Sequence, residues 1–104
     1  MPDAREVFTE IEKRIAAKPD KIKGLNATYQ FDLTGESWTL RIQDGQLTLD
    51  SGPAESPNTT FVASTEDWMN IATGKLNAVT AFMQQKLKVK GDMALAMKLQ
   101  GLLN

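Results

Sequence analysis

The 104-residue chain contains neither histidine nor cysteine. Without histidine it lacks the commonest general base and the commonest nitrogen ligand for metals, and no serine–histidine pair can be assembled. Without cysteine there is no disulfide, thiol nucleophile or thiolate ligand. Glycine patterns that cradle phosphates or dinucleotides are missing too. Glu66-Asp67 is the single adjacent carboxylate pair, and a helix N-terminus accounts for it. No apolar run approaches the ~20 residues of a membrane span, and the N-terminus does not read as a signal peptide. With 13 acidic and 12 basic residues the net charge is −1, so no global field attracts nucleic acid. The expectation is a non-enzyme with no metal, no cofactor and no nucleic-acid partner, in the cytoplasm.

What is present suits one domain over residues 1–104. Apolar residues make up 41% and charged residues 24%, as in ordinary globular chains. Charge is uneven: residues 1–74 carry a balance of −5 and residues 75–104 one of +4. The lysines of the second segment read as a solvated edge-strand face, or as weak attraction to an anionic lipid surface.

Periodicity gives the elements. Asp3 to Ala17 is an amphipathic helix with Ala4, Val7, Phe8, Ile11 and Ile15 on one arc. Asp3 and Glu6 have capping-box spacing, and Lys18-Pro19-Asp20 reads as a stop. Asn26 to Leu33 alternates with Ala27, Tyr29, Phe31 and Leu33 on one face. Trp38, Leu40 and Ile42 follow, then Asp44-Gly45, a strong hairpin signal, then Leu47 and Leu49. These strands make an antiparallel meander with one apolar and one wet face. Ser51 to Asn58 is a loop. Thr59 to Ser64 is a strand apolar on both faces, hence inside a sheet. Thr65-Glu66-Asp67 opens a short helix bearing Trp68, Ile71 and Ala72, and Gly74 ends it. Trp38 reads as core, and Trp68 as core or as the mouth of a cavity.

The last thirty residues organise the rest. Asn77 caps a helix with Val79, Phe82 and Met83 on its apolar face. Lys86, Lys88 and Lys90 alternate with Leu87 and Val89 as a strand, and Gly91-Asp92 turns into a final helix. That helix is apolar nearly all round. Leu95, Leu99, Leu102 and Leu103 occupy one arc, and Met93 and Met97 another. Such a helix is buried on two sides or faces a partner or a cavity, so the methionines are either core or the adaptable wall of a cavity.

The run Lys86-Leu87-Lys88-Val89-Lys90-Gly91-Asp92-Met93-Ala94-Leu95-Ala96-Met97-Lys98-Leu99, preceded by Gly74-Lys75 and Ala81-Phe82-Met83, resembles the C-terminal signature of the sterol carrier protein family. The resemblance extends loosely over the whole chain. It implies an α+β fold of two layers: a mixed five-stranded β-sheet with about five helices over one face, and an apolar tunnel between them. The fourth and fifth strands would join the far edge of the meander. The implied function is non-enzymatic binding or transfer of a fatty acid, acyl-CoA or sterol-like lipid. By motif position Trp68, Ile71, Val79, Phe82, Met83, Met93 and Met97 would surround the ligand, with Gln100 as a polar group at one end. Membrane contact would be at most transient, and the chain a monomer or homodimer. Two rivals stay open: a dimerisation or interaction module, and an accessory subunit to a lipid-metabolising enzyme. Eukaryotic relatives often end in a peroxisomal tripeptide, whereas this sequence ends Leu-Leu-Asn, in line with the cytoplasmic expectation.

Overall fold

The structure is a computed structural model and describes residues 3–103. Helix α1 (Ala4–Ala16) starts at Asp3, whose Oδ1 accepts the Glu6 N–H at 2.9 Å. Its apolar arc is buried as the sequence pattern demands. Lys18-Pro19-Asp20 ends α1, but Pro19 also opens a second, four-residue helix, α2 (Pro19–Ile22), that buries Ile22. Proline at a first helical position needs no N–H partner, so the residue that stops one helix starts another.

Strands β1 (Ala27–Leu33), β2 (Glu36–Gln43) and β3 (Gln46–Ser51) form the antiparallel meander. Asp44 and Gly45 both have positive φ, 51° and 80°, as the expected two-residue hairpin turn requires. β4 (Thr59–Ala63) lies parallel to β1, and β5 (Leu87–Gly91) antiparallel to β4. The sheet order β3-β2-β1-β4-β5 puts the doubly apolar β4 in the interior and the lysine-rich β5 on an edge, where exposed Lys88 and Lys90 discourage further pairing.

One face of the sheet carries the core. Phe8, Phe31, Phe61 and Trp68 meet there, with Phe31–Trp68 and Phe8–Phe31 ring centroids 4.8 and 4.9 Å apart. Trp38 is core as well; its indole N–H donates to Glu36 Oε1 at 2.6 Å, and the Arg5 guanidinium lies over its ring. Helices α1, α3 (Thr65–Ala72), α4 (Ala78–Met83) and α5 (Met93–Leu103) cover this face. The opposite face is less wet than alternation suggests. The segment between β3 and β4 reaches back to it: the Thr39 hydroxyl donates to the Gly52 carbonyl at 2.8 Å and the Ala54 N–H to Gln30 Oε1 at 3.0 Å, leaving Thr39 buried.

Helix α5 is pinned to the sheet at its start. Asp92 caps it through the Leu95 N–H (3.1 Å), the Thr59 hydroxyl donates to the Asp92 carbonyl, and the Tyr29 hydroxyl donates to the Leu95 carbonyl at 2.8 Å. Burial, and then the Asp92 carboxylate, push the Tyr29 pKa from 10.0 up to about 12. The folded state therefore holds this proton over a window in which the unfolded chain releases it. Its stabilising contribution is complete below about pH 10 and is lost as the pH rises toward 12. Tyr29 is the only tyrosine, so phenolate absorbance in the native protein is expected to titrate near pH 12, with unfolding accelerating across the same window. A native midpoint at 10 would place the hydroxyl in water.

Candidate functional site

Two adjoining cavities lie between the helices and β4–β5. The inner one, about 210 Å³, is walled by Trp68, Ile71, Leu76, Leu99 and Leu103, with Arg14, Asn77 and Gln100 as its polar side chains. The outer one, about 200 Å³, is walled by Val79, Phe82, Val89, Met93 and Met97. Phe61, Ala78, Leu87, Ala96 and Gln100 line both. An apolar void of about 150 Å³ already takes a benzene-sized guest, and the two together approach the size of small-molecule sites.

Helical geometry explains the gradation from core to cavity to solvent. On α5, at about 100° per residue, Leu102 is packed core. Leu99 and Ala96 follow around the helix as inner wall, Gln100 as the junction, and Met93 and Met97 as outer wall. Met93 and Met97 are 48% and 69% exposed. Their reading as ordinary core is thus corrected: the second apolar arc of α5 faces a cleft open to solvent. On α4, Ala81 is fully buried, Ala78 and Phe82 face the cavities, Val79 flanks them, and Met83 lies farthest round. The Asn77 side chain fixes this rotation by accepting the Val79 and Thr80 N–H groups.

Of the residues singled out by motif position, Trp68 and Ile71 wall the inner cavity, and Val79, Phe82, Met93 and Met97 the outer. Gln100 sits where the two meet, not at an end. Met83 lines neither cavity and is 76% exposed. It lies about 100° beyond Phe82 around the helix, on the side away from Ala78. Trp68 is not at a mouth either: it is 2% exposed and set against Phe31 and Phe61. Its Nε1–H is the one buried side-chain polar atom among the described residues without a protein partner. Sequence periodicity missed Ala78, Ala96 and Leu87. Small residues on a buried helix face read as close packing, whereas here they leave the space open. Leu99, read as packed arc, also walls the inner cavity. Among the described residues no cluster of carboxylates could hold a metal, and no helix is long and apolar enough to cross a membrane.

The model of the SCP-2 sterol transfer family matches residues 8–104. The chain belongs to this family. Sterol carrier protein 2 of Bos taurus is 35% identical over 106 residues, which are 95% of this chain and 20% of that protein. The Peroxisomal multifunctional enzyme A of Dictyostelium discoideum is 36% identical over 107 residues, 97% of this chain and 24% of that protein. The SCP-2 domain thus spans about a quarter or less of these curated relatives. The solution structure of palmitated SCP2L2 from Aedes aegypti matches with a TM-score of 0.81 at 27% identity, over 99% of this chain and 96% of that one. The mixed five-stranded sheet with helices on one face is therefore the SCP-2 fold, as the C-terminal signature implied.

Proposed function

We propose that the chain binds a long-chain lipid in the two adjoining cavities and carries it without transforming it. The observation behind this reading is the pair of adjoining cavities, one walled by Ile71 and Leu99, the other by Met93, Met97 and Phe82, with Ala96 lining both, in a fold shared with a palmitated protein. Binding follows from apolar burial, at about 0.8 kcal/mol per methylene, so affinity rises with chain length. Flexible methionines at the open end accommodate chains of different shape. Fatty acids are the first class to test, ahead of acyl-CoA and sterols. The absence of cysteine is neutral on compartment and agrees with a reducing cytoplasm, the compartment proposed here. Membrane contact need last only as long as lipid exchange.

Titration with cis-parinaric acid is expected to saturate at one equivalent with micromolar affinity, about −8 kcal/mol. A response that stays flat up to the solubility limit of the probe would remove the lipid-binding reading. A second reading rests on the relatives, in which a match to this chain forms part of a longer protein: the domain presents its lipid to an enzyme. Co-purification with one lipid-metabolising enzyme would favour it.

A further inference from the structure

Every large apolar side chain that is exposed among the described residues lies in one region. Val79, Phe82 and Met83 are on α4, and Met93 and Met97 on α5. All but Met83 wall the outer cavity, and Met83 follows Phe82 in the chain. A lone exposed apolar residue is ordinary, but a group of them at the opening of a cavity marks an interaction surface. The surroundings are cationic. Residues 75–104 hold five lysines against the one carboxylate side chain of Asp92. The ion pairs among the described residues, Arg14–Glu10 and Arg41–Asp50, use none of the five. Lys75 leads into α4, Lys86 leaves it, and Lys98 follows Met97 on α5. Lys88 and Lys90 leave β5 on the side opposite Val89, which lines the cavity, and β5 is the edge strand, so they border the opening along the sheet edge. Helix α1 offers no such surface: its apolar arc is buried, and Glu6, Glu10 and Glu12 offset Arg5, Lys13 and Arg14.

We infer that the opening of the outer cavity docks on an anionic lipid bilayer, with Phe82, Met83, Met93 and Met97 entering the boundary of headgroups and acyl chains and the lysines held at the charged surface. A second copy of the chain would bring like charges together, whereas an anionic bilayer meets both the lysines and the apolar side chains. The choice of a bilayer over an acidic protein rests on the lipid-carriage reading, because docking in this sense sets the cavity against the membrane with which its lipid exchanges.

The test is cosedimentation with vesicles of equal parts phosphatidylcholine and phosphatidylserine, and of phosphatidylcholine alone, alongside titration with cis-parinaric acid. Wild-type protein is expected to bind the phosphatidylserine vesicles at least about tenfold more tightly. Lys88→Gln/Lys90→Gln should weaken that binding about tenfold to thirtyfold, and Met83→Ser about threefold to tenfold. These side chains are exposed and line neither cavity, so uptake of cis-parinaric acid should stay within about twofold of wild type. Lys21→Gln/Lys23→Gln removes the same charge at α2, which packs on α1 and lines neither cavity, and should change vesicle binding less than about twofold. Equal losses from the two lysine pairs, no preference for phosphatidylserine, or unchanged vesicle binding by Met83→Ser overturns the docking surface; continued uptake of cis-parinaric acid then leaves lipid binding standing. A wild-type dimer in analytical ultracentrifugation that Met83→Ser dissociates would make a second copy the occupant and overturn it as well. Vesicle binding with the expected losses but without uptake of cis-parinaric acid upholds the docking surface and removes the lipid-binding reading instead.

Discussion

Gly91→Ala is expected to cost about 2–4 kcal/mol of folding stability, and to loosen the site along with the fold. Gly91 ends β5 with φ of +93°, a conformation unfavourable for any residue with a Cβ. There is no room for a Cβ either: it would stand 2.4 Å from the Asn58 carbonyl oxygen. That oxygen is fixed from other directions. The Asp92 N–H donates to it at 2.9 Å, the Asn58 N–H donates to the Thr28 carbonyl, and the Asn58 side chain accepts the Thr28 N–H. The backbone cannot retreat without releasing β1, β4 and the cap of α5 together. Denaturant melts on both proteins would measure the loss. A change below about 0.5 kcal/mol, the range of an ordinary surface substitution, would show that the β5–α5 corner is not the constraint described.

The second large effect separates the two arcs of α5. Leu102→Ala removes a side chain that is 1% exposed and lines neither cavity, and is expected to cost about 2–5 kcal/mol while leaving ligand affinity unchanged. Met97→Ala removes a side chain that is 69% exposed in the free protein and should cost under about 0.5 kcal/mol. It should weaken binding of a long chain roughly threefold to tenfold, because the ligand covers the methionine that solvent otherwise meets. Equal stability costs with unchanged binding in both variants would make Met97 a packing residue.

Much of this was legible in the sequence where a single period governs a segment. Alternation over Ala27–Leu33 and the Asp44-Gly45 turn specify the meander, and the doubly apolar Phe61-Val62-Ala63 correctly implies an interior strand. The family resemblance implied a mixed sheet with the fourth and fifth strands on the far edge of the meander, but the parallel pairing of β4 with β1 is seen only in the structure, since strand order is a non-local property. Local patterns misled where one residue has two roles, as at Pro19, and where a remote segment covers a face, as at Thr39. The site was harder to read than the fold. An apolar stripe on a helix marks a surface that avoids water, but the stripe is the same over a core and over a cavity. The deciding residues are the small ones, Ala78 and Ala96, whose contribution is the volume they leave empty. The orphan N–H of Trp68 is likewise invisible to periodicity, because it depends on which partners the fold places within reach.

Lipid carriage as proposed requires the inner and outer cavities to form one path for one lipid chain. Isotope-filtered nuclear Overhauser spectra with uniformly ¹³C-labelled palmitate test it directly. The expected result is a single bound palmitate with contacts both to the Met93 and Met97 methyl groups and to those of Ile71 and Leu103. Saturating palmitate that contacts only the methionines, or neither set, would contradict it.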